Sequence, residues 1–216
     1  MTVQLPVPDY TAARRAMVDS QLRPQGVSDP LVVAAMASVP RELFVPEEFR
    51  PLAYSDRSVP LGSRRKLSPA DATGLLLTAL APRPGQKALV VGAGTGYAAA
   101  LLSEIGLDVV ALDSDPALLA VAAGRGLTIS QGPLKAGFAN GAPYDLILID
   151  GAVEHLPEEL TDQLRDGGLI GYAAIDRGVT RLAVGRKAAN AVGIRTIADS
   201  AVDPLPGFTR PRAFTF

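Results

Sequence analysis

The sequence contains no cysteine. That excludes disulfides, thiolate metal sites and a cysteine nucleophile, and it fits a reducing compartment. Histidine occurs once, at His155. No second histidine or cysteine can join it in a metal site, so no metal is expected. Aromatic residues make up only 5% of the 216, and the formal net charge is -1. Balanced charge, few aromatics and no basic stripe argue against nucleic-acid binding. They give no overall pull toward acidic lipid either. No run of 18 apolar residues exists, so no membrane span is expected. The first ten residues lack a basic segment followed by an apolar one. A soluble cytoplasmic protein is the expectation.

What is present is apolar residue in quantity, 48% of the chain. That suffices for the core of one sizeable domain, with room for a small N-terminal addition. The chain is organised around residues 88–97, Ala-Leu-Val-Val-Gly-Ala-Gly-Thr-Gly-Tyr. Four apolar residues run into a Gly-x-Gly-x-Gly turn, and an Ala- and Leu-rich segment follows to residue 105. This reads as a buried parallel strand, a tight loop and a helix. Glycines let the backbone turn sharply and approach a ligand closely. The helix start offers free N–H groups to a polar ligand.

Before that stretch the pattern is helical or irregular. Residues 1–9 carry two prolines and read as an arm. Residues 10–22 have helical spacing, with Ala13, Ala16, Met17 and Val18 on one side. Ser28 suits the N-cap of a helix over 31–38, with Pro30 in its first turn. Residues 44–54 read as irregular apolar packing, and 55–66 as a polar, basic loop. Tyr54 and Asp56 are expected to pack this first third onto the sheet. A helix is expected after Ser68, Pro69 and Asp71, carrying residues 75–80.

From residue 84 strands and helices alternate. Strands are expected at 88–91, 107–112, 127–130, 146–149 and 169–174, and helices at 98–105, 116–123 and 157–165. A Gly-rich loop spans 131–143, and Gly167-Gly168 stops the last helix. Repeated βα units imply a parallel sheet covered on both faces. Residues 180–186 and 194–199 then suit an antiparallel hairpin with its turn near 190–193. The fold expected is α/β: a doubly wound, mostly parallel sheet with an N-terminal helical cap and a C-terminal antiparallel hairpin. Residues 1–66 are expected to form the cap and a loop at its edge, and residues 67–216 one compact Rossmann-like domain.

The glycine turn discriminates among ligands. A dinucleotide fingerprint needs Gly or Ala at the sixth position, where this chain has Tyr97. A P-loop needs Gly-Lys-Ser/Thr after four residues, which is absent. Asp113 closes the next strand, 17 residues after Gly96, where a carboxylate can accept both hydroxyls of a ribose. This pattern resembles the Rossmann-like S-adenosylmethionine-dependent methyltransferases. The resemblance assigns the cofactor to Gly92, Ala93, Gly94, Thr95, Gly96, Asp113 and Gly132.

Over most of its length the chain resembles the protein-L-isoaspartate O-methyltransferases. The matching stretches begin with Met17-Val18-Asp19-Ser20-Gln21-Leu22, Val39-Pro40-Arg41-Glu42-Leu43-Phe44-Val45-Pro46 and Ala53-Tyr54-Ser55-Asp56. The glycine turn comes next, then Ala142-Pro143-Tyr144-Asp145, Leu156-Pro157-Glu158-Glu159-Leu160, Gly167-Gly168 and Val202-Asp203-Pro204-Leu205. The resemblance implies methyl transfer from S-adenosylmethionine to the carboxylate of L-isoaspartyl residues in damaged proteins. Such a displacement needs positioning more than acid–base machinery.

Three places depart from the family pattern. The stretch resembling Gly-Gln-Thr-Ile-Ser-Gln-Pro is here Arg64-Arg65-Lys66-Leu67-Ser68-Pro69-Ala70. Ser68 matches the family's active-site serine, and it reads equally as a helix N-cap. Val90 replaces an acid that orders the cofactor loop in the family. Gly132-Pro133-Leu134 replaces Gly-Asp-Gly, whose acid reaches the adenine amine; Gln131 is the nearest substitute. Two accounts follow: a methyltransferase with altered pocket chemistry or a different acceptor, or a scaffold that acts by binding. Arg65 and Lys66 lie beside Ser68 and suit an anionic acceptor, although such a run also reads as a solvated loop. Asp150 ends the fourth strand and either faces the pocket or belongs to a strand-end turn. His155 just beyond reads as a surface histidine.

Overall fold

A computed structural model describes residues 9–124, 129–189 and 191–210. Its sheet has seven strands in the order β5-β4-β3-β6-β7-β8-β9. They are β3 (Lys87–Val91), β4 (Asp108–Asp113), β5 (Ile129–Gln131), β6 (Tyr144–Val153), β7 (Leu164–Asp176), β8 (Val179–Ala188) and β9 (Ala191–Asp199). The pairs from β5 through β7 are parallel. The pairs β7–β8 and β8–β9 are antiparallel. This is the expected doubly wound sheet with its closing hairpin.

Two apolar clusters flank the sheet. Residues alternate between the faces of a strand, so Ala88 and Val90 of β3 join one cluster while Leu89 and Val91 join the other. The first cluster also takes in α1 (Tyr10–Met17), α2 (Pro30–Ser38), α3 (Ala70–Leu80) and α4 (Tyr97–Ile105). The second lies beneath α6 (Glu158–Asp162) and the short turns at Leu134–Ala136 and Ala139–Gly141. The remaining helix, α5 (Pro116–Ala123), packs beside β4 and β5.

The cap is tied to the sheet through Tyr97 and Arg41. Tyr97 opens α4 and is 1% exposed. Its ring meets Phe44 edge-on at 5.4 Å, and the Arg41 guanidinium stacks over it at 4.9 Å. The bulky ring that rules out a dinucleotide fingerprint is thus the anchor of the cap. Tyr54, expected to pin the cap to the sheet, works within the cap instead. Its hydroxyl bonds Glu42 and accepts from Arg14 Nε at 2.9 Å. Asp56 is exposed.

Other boundaries differ from expectation for identifiable reasons. The N-cap of α2 is Asp29, not Ser28: its Oδ1 accepts from the backbone N–H of Leu31 at 2.9 Å. Its Oδ2 pairs with Arg83 at 2.8 Å. Residues 55–66 are not a plain loop. They contain β1 (Val59–Gly62) and most of β2 (Arg65–Leu67), an antiparallel hairpin. α1 continues through a wider π turn at Val18–Leu22. β6 runs past residue 149 because a register shift after Leu148 lets pairing resume at Ala152. α6 is shorter than expected, and β7 begins at Leu164 and runs through Gly167 and Gly168. A Cβ on Gly168 would come within 2.9 Å of the Arg165 carbonyl oxygen. The glycine admits neighbouring backbone rather than ending the element. Residues 1–8 of the expected arm, 127 and 128 of the expected fifth-strand segment, and Asn190 lie outside the described residues.

Candidate functional site

Register brings the site together. Val91 pairs with Leu112 on one side and Ile149 on the other. The next residues, Gly92, Asp113 and Asp150, therefore emerge side by side at the carboxyl edge of β3, β4 and β6. That edge, where the strand order reverses, is the usual ligand crevice of such sheets.

Gly92, Gly94 and Gly96 have φ of +75°, +58° and +96°, a region open to glycine but costly for side chains. The turn is held by β4. The N–H groups of Gly92 and Ala93 donate to the Leu112 carbonyl at 2.9 and 3.0 Å. Gly94 N–H donates to Asp113 Oδ2 at 2.7 Å. The Thr95 hydroxyl donates to the Phe44 carbonyl, tying the turn to the cap. Val90, in the place of the family's loop-ordering acid, is fully buried in the apolar cluster on the cap side. Order in this turn comes from Asp113 and Thr95.

Asp113 is the most heavily bonded acid in the site. Beyond Gly94, its Oδ1 accepts from Ser114 N–H at 2.7 Å and Asp115 N–H at 3.0 Å. Arg65 Nη1 reaches both carboxylate oxygens, at 3.1 and 3.0 Å, and Nη2 donates to the Gly92 carbonyl at 2.7 Å. Asp113 is 0% exposed and Arg65 6%. Gly132 donates its N–H to the Asp113 carbonyl at 3.1 Å, which brings the segment after β5 to the same edge. Leu134 turns into the second apolar cluster, while Gln131 and Pro133 are exposed.

Ser68 does not cap α3. Pro69 stands at that position and makes no side-chain cap bond, while Asp71 Oδ1 accepts from the Ala72 N–H at 2.8 Å in the first turn. The Ser68 hydroxyl instead donates to Asp150 Oδ1 at 2.7 Å. Its carbonyl accepts from Arg41 Nη2 at 2.6 Å, while Arg41 Nε bonds the Ala53 carbonyl at 2.7 Å. Arg41 is completely buried, and burial lowers its guanidinium from the ordinary value. Burial pushes the Asp150 carboxyl above the usual carboxylate range; the Ser68 hydrogen bond and the charges of Arg65 and Arg41 oppose this. Arg64, Arg65, Lys66, Ser68 and Asp150 line one small cleft.

The two cations expected together at that cleft are split by strand alternation. Arg65 and Leu67 point inward, and Lys66 points outward, where its Nζ pairs with Asp203 at 2.6 Å. His155 is exposed, on the rim of a separate cleft of about 580 Å³ that also includes Glu154, Lys187 and Arg210. Nothing in sequence spacing marks Arg41 as a site residue; its place between Pro40 and Glu42, in the longest stretch that resembles the family, is the one signal for it.

A glycine turn after β3, an acid closing β4 and a hydroxyl–carboxyl pair whose acid lies on β6 define a Rossmann-like α/β protein of the methyltransferase class. Residues 12–199 match the family model for Protein-L-isoaspartate(D-aspartate) O-methyltransferase, and the chain belongs to that family. It is 43% identical over 169 residues to the protein-L-isoaspartate O-methyltransferase of Methylorubrum extorquens (strain PA1), covering 76% of this chain and 74% of that one. It is 38% identical over 207 residues to protein-L-isoaspartate O-methyltransferase 1 of Rhodopseudomonas palustris (strain HaA2), covering 92% and 84%. Its fold is similar to a Plasmodium falciparum structure described as a protein-L-isoaspartate O-methyltransferase in complex with S-adenosyl-L-homocysteine. The TM-score is 0.77 at 18% identity, over 92% of this chain and 99% of that one. Among the described residues no helix is long and apolar enough to cross a membrane.

Proposed function

We propose that the chain methylates the free carboxylate of L-isoaspartyl residues in damaged proteins, using S-adenosylmethionine. The observation that carries this reading is the alignment of Gly92, Asp113 and Asp150 at one sheet edge, with Ser68 bonded to the last. Family membership supplies the reaction class. The residues fit the cofactor. Asp113 offers a carboxylate for the ribose, and the glycine turn holds three positive-φ positions at the sheet edge, with Leu61, Arg65 and Leu205 packed against it. Gly92, Ala93, Gly94, Thr95, Gly96, Asp113 and Gly132 would hold it. Bound, S-adenosylmethionine supplies a methyl group on a sulfonium, ready for in-line displacement by a carboxylate oxygen, with a neutral thioether as leaving group.

The chain's own residues position the acceptor. Ser68 serves as the catalytic residue, its hydroxyl free to turn from Asp150 to the acceptor carboxylate. Arg41 fixes the backbone beneath it. Arg65 and Lys66 supply positive charge on the approach. Asp150, held toward its neutral form, stands beside an anionic acceptor with less repulsion than an ordinary aspartate. No proton must be moved in the displacement, which suits a site without histidine. Residues 1–66 act as the substrate-side cap over the 67–216 unit. Cysteine-free composition and the reaction class support work in the cytoplasm on proteins rather than on nucleic acid.

The test is an isoaspartyl peptide assayed with labelled S-adenosylmethionine. Methyl transfer to the isoaspartyl peptide and none to its aspartyl isomer is the expected result. Cofactor binding without transfer would point to another acceptor. No heat with S-adenosylhomocysteine at millimolar concentration would leave a scaffold that acts by binding.

A further inference from the structure

The β1–β2 hairpin lies over the glycine turn. Its buried positions alternate as Val59, Leu61, Arg65 and Leu67. Tight reversal comes from Ser63 and Arg64, both at positive φ. A Cβ on Gly94 would lie 3.2 Å from Leu61 Cδ1, and one on Gly92 would lie 2.9 Å from Leu205 Cδ1 and 3.4 Å from Arg65 Nη2. The face of the turn that a cofactor must approach is packed with this chain's own side chains. Arg65 makes both its bonds to the Asp113 carboxylate and one to the Gly92 carbonyl within that packing.

We propose that Arg65 is an internal competitor for the cofactor's ribose, and that its release couples cofactor loading to acceptor binding. The inference rests on the function proposed above. Arg65 Nη1 and a ribose diol use the same two carboxylate oxygens, the first as a charged donor and the second as a neutral one. Both cannot hold them at once. Loading therefore requires the hairpin to withdraw Arg65, and the apparent affinity is reduced by the fraction of molecules still latched. Once free of Asp113, the guanidinium remains on the hairpin that borders Ser68 and Asp150. An acceptor carboxylate is the anion arriving at that cleft. The cofactor then binds first and the acceptor second, because the acceptor's cation is unavailable until Asp113 has another partner.

Calorimetry with S-adenosylhomocysteine on the whole chain, comparing wild type with Arg65→Ala and Arg65→Gln, tests this. Removing the competitor should tighten binding by about ten-fold, a difference of roughly 1.4 kcal/mol. An isoaspartyl peptide alone should give no heat with wild type, and should bind once S-adenosylhomocysteine is present. Circular dichroism checks that each variant is folded. Arg65→Lys, which keeps the charge and loses the second nitrogen that bonds the Gly92 carbonyl, should fall between wild type and Arg65→Ala and serves if the others do not fold. Equal or weaker cofactor-product binding in folded variants, with wild type binding normally, overturns the latch and leaves the function standing. Silence from wild type and every variant at millimolar ligand overturns the function and the latch with it. Binding by Arg65→Ala where wild type is silent supports the latch and overturns the function, leaving wild type a scaffold whose cofactor site the latch keeps closed.

Discussion

Ser68 and Asp150, 82 residues apart in sequence, meet at 2.7 Å through hydroxyl and carboxyl. Because burial raises the Asp150 carboxyl, its neutral form persists above the usual carboxylate range. Ionisation then places a negative charge beside the incoming acceptor. Acceptor KM should therefore rise as pH passes up through the Asp150 pKa, and Asp150→Asn should flatten that rise. Stability follows the same sign. The folded state holds this proton more tightly than the unfolded state. The Asp150 contribution to stability is therefore greatest below the unfolded pKa and is lost as pH rises through the folded one. Thermal melts of wild type and Asp150→Asn across acid to neutral pH should converge at the acid end and diverge in favour of the variant above it.

Much of this site was legible before the structure, and what was not has a common cause. Residues 88–97 announce strand, turn and helix because four apolar residues and three glycines leave little else for the backbone to do. Asp113 follows from where the next strand must end. The β1–β2 hairpin did not show itself. Its inward positions include Arg65, and an arginine on a buried face breaks the apolar alternation that marks a strand. Ser68 looked like a cap because serine before Pro69 and Asp71 is what a helix start uses. Only the register of β6 against β3 reveals an acid within reach of its hydroxyl. Gly167 and Gly168 punctuate the sequence as a stop, yet β7 runs through them: Gly167 takes a positive φ, and Gly168 sits where a Cβ would meet the carbonyls of Arg165, Tyr144 and Asp145.

Arg41 should be the costliest surface-remote residue to lose. It bonds two carbonyls, stacks on Tyr97 and is completely buried. Arg41→Ala leaves two buried acceptors without a donor and opens a cavity. A loss of about 3–5 kcal/mol is expected for breaking such a buried arrangement. Urea unfolding monitored by circular dichroism measures it. A loss below about 1 kcal/mol would mean the cap does not depend on this contact.

Tyr97 offers a contrast on the same contact. Its hydroxyl makes no hydrogen bond of normal geometry in its buried position, so the ring carries its value. Tyr97→Phe should change stability by no more than about 0.5 kcal/mol, or raise it slightly, because an unsatisfied polar group is costly to bury. Tyr97→Ala should lose roughly 3–5 kcal/mol, as large aromatic truncations do. If Phe and Ala cost the same, the hydroxyl has a partner that matters.

Gly92 has φ of +75°, and an added methyl would sit 2.9 Å from Leu205. Gly92→Ala should cost about 1–2 kcal/mol from the left-handed backbone alone. It should also weaken S-adenosylhomocysteine binding, since the new methyl pushes on Leu205 and Arg65 and shifts the turn that the cofactor approaches. Melting and calorimetry on one preparation separate the two effects.

Lys66 distinguishes a structural ion pair from a recognition charge. Its partner Asp203 is partly exposed, as is Lys66 itself, and exposed pairs contribute roughly 0–1 kcal/mol. Lys66→Glu should therefore leave the melting temperature nearly unchanged. An acceptor-binding charge has a different signature. Reversal should raise KM for an anionic isoaspartyl peptide several-fold with kcat unchanged, and the difference should shrink as salt is added because exposed charges are screened. Asp203→Asn frees Lys66 from its internal partner and should lower KM. If both variants leave KM where it was, the basic run flanking Ser68 is a solvated edge, and Arg65 alone meets the acceptor.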